Sequence, residues 1–184
     1  MSQSRKLNDL LSIAKFRVLP GTFPAVAAYA ATAEGPLQGA FGTLAGALNS
    51  GFTGAFIAPV LPRDLRLNTS SEVFDANLDY NVVKIEKIEE QIVPDAIVSR
   101  HAGTVEILQA QYGQDLPVLS GNLSEEEVKG KFVVGTLPPH LAGECKGYIP
   151  VRIANFDYSK DGDLGGKELR ERLIVDSPIK VTVS

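Results

Sequence analysis

From residue 94 onward, short apolar runs alternate with stretches of helical spacing, and this alternation predicts strands and helices in turn. Ala96, Ile97 and Val98 make one apolar run, and beyond Gly103 the positions Val105, Ile107 and Leu108 recur at helical spacing, predicting a helix over 104–111. A second strand is expected at 117–119. Ser124 with Glu127 three residues on has the form of a capping box and predicts a short helix there. Further strands are expected at 132–134, 148–153 and 179–183, with helices opening at His140 and spanning 167–173. The pattern predicts an α/β fold, a small Rossmann-like, mostly parallel sheet over residues 94–184. In such sheets ligands sit beyond the carboxyl ends of the strands.

Residues 1–93 follow a different pattern, a mixed Ala/Gly-rich region to which no function is assigned. Leu7, Leu10, Leu11, Ile13 and Ala14 fit an amphipathic helix, and the sequence Pro20-Gly21-Thr22-Phe23-Pro24 reads as a turn. An alanine-rich helix is expected from Pro24 until Gly35-Pro36 stops it. The glycine-rich stretch that follows suits a tight loop, close helix approach or packing of copies against one another. Phe56, Ile57 and Val60 suggest a strand, as do residues 80–88. The Gly-Ala-Phe triplets at 39–41 and 54–56 do not recur in phase, so no internal repeat is expected.

Residues 35–62 carry no charge. The stretch is long enough to cross a bilayer, yet its many glycines, with Pro36, Gln38, Asn49, Ser50 and Pro59, argue against a span, and no membrane partner is expected. The start lacks the layout of a secretion signal. With 44% hydrophobic and 22% charged residues the composition is that of a globular protein. A net charge of -4 and a pI near 5.2 argue against duplex nucleic acid as a partner, which requires a positive stripe. Cys145, the one cysteine, leaves no internal disulfide, and the cytoplasm is the expected compartment.

The candidate chemistry lies at two turns. Between the strand at 96–98 and its helix stands Ser99-Arg100-His101-Ala102-Gly103-Thr104, and after the strand at 132–134 stands Gly135-Thr136-Leu137-Pro138-Pro139-His140. A strand-to-helix turn presents unpaired N–H groups and the positive end of a helix dipole, which suits a phosphate. In a parallel sheet both turns open on one edge. That would set the only two histidines, His101 and His140, beside Arg100. Two imidazoles can act as general base and acid while Arg100 and backbone N–H groups stabilise phosphorane charge. The bland alternative is that Ser99 or Thr104 caps the helix, that the prolines shape the second turn, and that each histidine is a capping or surface residue.

The segments VSRHAGTVE, VVGTLPPHLAGEC and GGKELRERL, in this order and spacing, resemble the small CRISPR-associated Csx-type family found beside type III CRISPR loci. The resemblance covers about residues 95–175. It implies a ring nuclease that binds a cyclic oligoadenylate, typically cyclic tetra-adenylate, across the interface of a homo-oligomer, most simply a dimer, and opens it without metal or other cofactor. The residues matching the family are Ser99, Arg100, His101, Gly103 and Glu106, then Gly135, Thr136, Leu137, Pro138, His140 and Glu144. Ile107 stands where an aromatic residue is usual, the segment after Cys145 is shorter, and residues 1–93 have no counterpart in the family. On this reading His101, His140 and Arg100 are catalytic, and Ser99, Gly103, Thr104, Gly135, Thr136 and Leu137 contact the ligand.

Two competing readings stand beside it. Asp157, Ser159, Asp161, Asp163 and Glu168 fit a calcium-loop spacing with Gly162 at the turn, although the residues before them read as strand rather than helix. The unfamiliar first half also admits a structural or assembly protein, possibly viral, whose α/β module is a relic or a ligand sponge.

Overall fold

The computed structural model describes residues 5–62, 65–154 and 164–184. The chain is α/β and forms two compact units, one of residues 1–85 with 183–184 and one of residues 86–182. The division falls ahead of the 93/94 boundary expected from the sequence. Residues 86–93 count with the second unit, and there the Ile88 N–H donates to the Pro178 carbonyl.

In the first unit the order is α1 (Leu7–Leu11), β1 (Lys15–Val18), α2 (Pro24–Ala31), β2 (Leu37–Phe41), α3 (Leu44–Asn49), β3 (Gly54–Pro59), α4 (Ser70–Ala76) and β4 (Tyr80–Lys87). β1, β2 and β3 lie side by side and parallel, and β4 runs antiparallel on β3. Pro24 opens α2, where its missing N–H costs nothing. Thr43 caps α3 by accepting the Gly46 N–H at 3.0 Å, and Thr69 caps α4. Leu7, Phe16, Val26, Phe41 and Val73 are buried together as this unit's core. The charge-free stretch is therefore a strand, a short helix and a strand. No helix among the described residues is long and apolar enough to cross a membrane.

The second unit contains β5 (Ala96–Val98), α5 (Ala102–Tyr112), β6 (Val118–Leu119), α6 (Glu125–Val128), β7 (Phe132–Gly135), α7 (Pro139–Ala142), β8 (Gly147–Ile153), α8 (Gly166–Arg172), β9 (Leu173–Val175) and β10 (Ile179–Val183). β6, β5, β7 and β8 are neighbours in that order and parallel, whereas β9 and β10 each pair antiparallel with β8. Every residue of β5 is buried, as expected of a strand covered on both faces. Ile97, Leu108, Val134, Ile149 and Val151 pack together between the sheet and α5. The capping box forms, with the Glu127 carboxylate accepting the Ser124 N–H at 2.7 Å.

Candidate active site

The two predicted turns leave neighbouring strands at one level. Val98, the last residue of β5, pairs with Gly135, the last of β7, and the Thr136 N–H donates to the Val98 carbonyl at 3.1 Å. Gly135 is required here. Its φ is +140°, and a Cβ would overlap the Val98 carbonyl oxygen.

His101 is the N-cap of α5. Its Nδ1 accepts the Thr104 N–H at 3.3 Å and lies 3.4 Å from the Thr104 hydroxyl. Ser99 in turn accepts the His101 N–H at 3.1 Å. Of the capping side chains that the bland alternative allowed, the cap is supplied by the His101 imidazole and not by Ser99 or Thr104, and it meets a helix-end donor as a carboxylate or hydroxyl would. Because Nδ1 accepts, the neutral ring carries its proton on Nε2. Thr104 is buried, and Gly103 lets α8 close on α5, since a Cβ there would stand 2.8 Å from Leu169 Cδ2. Arg100 is exposed and donates to the Gly121 carbonyl at 3.3 Å. Glu106 faces Arg170 of α8 at 4.0 Å. The first and third resembling segments are therefore in contact.

The second turn differs from expectation. The N–H groups of Thr136 and Leu137, expected to hold phosphate, are already engaged. Thr136 donates to Val98, and the Leu137 N–H donates to the Tyr148 hydroxyl at 3.0 Å, which itself donates to the Gly135 carbonyl at 3.0 Å. Burial pushes the Tyr148 phenol well above its ordinary range, so it is a fixed neutral strut. Sequence reasoning did not single out Tyr148. Its signal was a tyrosine on an otherwise apolar buried strand, whose hydroxyl must find a partner. Leu137 is buried, Thr136 is exposed with its hydroxyl 3.4 Å from the Val151 carbonyl, and His140 is exposed on α7. Nearby Cys145 is fully buried, and its thiol is pushed up to about 11 by burial, with Lys180 opposing and Glu144 adding to the shift.

Two clefts, of about 540 and 600 Å³, are lined by none of the predicted site residues. Of the calcium-loop candidates, Asp157, Ser159, Asp161 and Asp163 lie outside the described residues. Glu168 pairs with Arg172 at 3.4 Å. No group of three or more His, Cys, Asp or Glu side chains suited to a metal is present among the described residues.

Fold and turns together define an α/β protein in which the turns that carry Arg100, His101 and His140 follow the carboxyl ends of adjacent parallel strands, with no contact shown among these three side chains. Comparison with protein-family models, with curated proteins and with solved structures finds no match.

Proposed function

We propose that the second unit is a Rossmann-like ring nuclease domain that binds a cyclic oligoadenylate, with cyclic tetra-adenylate the first candidate, and opens it, ending type III CRISPR signalling. The observation that carries this reading is the shared level of the two turns, with Val98 against Gly135 and the Thr136 N–H on the Val98 carbonyl. It supports the reading because the loops that bear His101 and His140 then leave neighbouring strands at one edge of the sheet.

The reaction is an in-line displacement. A ribose 2′-oxygen forms a bond to the adjacent phosphorus, the bond to the 5′-oxygen breaks, and the products are a 2′,3′-cyclic phosphate and a 5′-hydroxyl. One proton leaves the 2′-hydroxyl and one reaches the 5′-oxygen, so no metal is needed to balance it. With Nδ1 held by the α5 cap, His101 offers Nε2–H and serves as donor to phosphate or leaving oxygen. His140 is the proton acceptor, and Arg100 carries the phosphate charge. The committed N–H groups of Thr136 and Leu137 favour a second reading in which the messenger is held and not cut.

Incubation with cyclic tetra-adenylate in chelator, with products resolved by chromatography, tests both readings. Linear products lost in His140→Ala and in His101→Asn, which keeps a capping side chain, support cleavage. Binding without turnover selects the sponge. The absence of both binding and turnover refutes the proposal.

A further inference from the structure

The first unit follows the second unit's plan. In each, three parallel strands lie side by side in chain order and a fourth runs antiparallel on the third: β1, β2, β3 and β4 in one, β5, β7, β8 and β10 in the other. A helix joins the first strand to the second, α2 or α5, and another joins the second to the third, α3 or α7. A helix also precedes the last strand of each unit, α4 or α8; the second unit adds α6, β6 on the outer side of β5, and β9, whereas α1 occurs in the first unit alone among the described residues. Right-handed parallel crossovers are common, so this order alone would be weak grounds.

Sequence recurs at the matching junction. Gly42-Thr43-Leu44 follows β2 as Gly135-Thr136-Leu137 closes β7, each with a leucine at the same later position, Leu48 or Leu141. Gly54 and Gly147, at equal distances beyond, open the third strand of each unit. The packing recurs as well. A Cβ on Gly42 would stand 3.0 Å from Leu19 Cβ, and one on Gly135 would overlap the Val98 carbonyl, so each glycine is pressed against the end of its unit's first strand. Leu44 and Leu137 are both buried.

The chemistry does not recur. Between β1 and α2 stand Leu19, Pro20, Gly21, Thr22 and Phe23, with Phe23 as the N-cap where His101 caps α5. Ala47 occupies the position of His140 and is fully buried, whereas His140 is exposed. Gly46 is closed on its neighbour, since a Cβ there would overlap the Pro20 carbonyl oxygen.

We propose that the first unit is a catalytically silent second copy of the second, so that the chain carries the same module twice and, acting as a single chain in place of the homo-oligomer that the resemblance implies, brings one phosphodiester-cleaving centre to the ring. The inference rests on the cleavage reading above. Its chemical consequence is the product: one centre breaks one phosphorus–oxygen bond and leaves a linear chain of the ring's full length, whereas two opposed centres halve the ring. The test is a quenched time course of the full-length protein with cyclic tetra-adenylate in chelator, with products separated by anion exchange. Linear tetra-adenylate ending in a 2′,3′-cyclic phosphate is expected first, and dinucleotide only after a lag or not at all. Dinucleotide formed from the earliest times at the rate of ring loss overturns the single centre while upholding cleavage. An intact ring throughout overturns the cleavage reading and this inference with it.

Discussion

Replacing Tyr148 with phenylalanine removes one oxygen from a buried site and strands two backbone groups. The Leu137 N–H loses its acceptor and the Gly135 carbonyl loses its donor, both formerly at 3.0 Å. Each buried polar group left without a partner costs about 1–3 kcal/mol, with the carbonyl at the lower end because it has a second lone pair. The expected loss is about 2–4 kcal/mol. With a urea slope of about 1–3 kcal/mol per molar, that moves the second unit's midpoint down by on the order of 1–2 M. The local signature is sharper: amide exchange at Leu137 accelerates before the unit unfolds. Tyr112→Phe is the control, since its hydroxyl has no hydrogen-bond partner among the described residues and burial alone raises its phenol. A Tyr148→Phe protein as stable as that control, with Leu137 protection unchanged, refutes the strut and returns the Leu137 N–H to the list of groups free to hold an anion.

Three further outcomes follow from the geometry. His101→Ala, which removes the Thr104 cap, lowers stability by about 1 kcal/mol, whereas His101→Asn restores most of it; equal melting curves for the two dismiss the cap. Gly135→Ala drives a methyl into the Val98 carbonyl at positive φ and costs more than about 3 kcal/mol or abolishes folding, whereas Gly121→Ala, at positive φ with open space around it, costs about 1 kcal/mol; denaturant midpoints that do not separate the two defeat the argument. Stability falls with rising pH above about 9, because the Cys145 thiol, held near 11 in the fold, ionises first in the unfolded chain; the loss, on the order of 2 kcal/mol, is complete once pH passes the folded value, and a Cys145→Ala protein with the same slope between pH 9 and 11 rules it out.

Most strands and helices after residue 94 were legible because each carries its signal within a few residues: the apolar run at Ala96, Ile97 and Val98, the capping box at Ser124, the proline pair at the start of α7; β9 was missed, its first residue having been assigned to the helix before it. In the first unit β1 is a four-residue Lys-Phe-Arg-Val alternation lying against a presumed helix, and β2 contains Gly39, so neither reads as a strand. α4 was missed although Thr69 and Glu72 have capping spacing, because no apolar stripe follows them. The two histidine turns were legible by type and spacing. Their hydrogen bonds were not, since the acceptors of the Thr136 and Leu137 N–H groups come from Val98 and Tyr148, whose proximity only the pairing of strands creates.

The same distinction explains why the Gly-Ala-Phe triplets did not reveal the proposed internal repeat, which the Gly-Thr-Leu segments carry instead. A search for the triplet Gly-Ala-Phe follows side chains that need not be shared, whereas Gly135 is fixed by the Val98 carbonyl and Gly42 stands where a Cβ would press on the Leu19 and Thr22 side chains at 3.0 Å. Close packing favours glycine at that position whether or not the loop does chemistry. His140 and Ala47 are not alike in this way, since His140 is exposed on α7 and Ala47 is fully buried in α3. A silent copy therefore keeps its glycines and loses its imidazoles. His101 differs from His140 in that the fold also holds it, since its Nδ1 accepts the Thr104 N–H, while the proposal gives its Nε2 the chemistry. A catalytically silent copy can then replace it only by closing α2 another way, which Pro24 at the first helical position does.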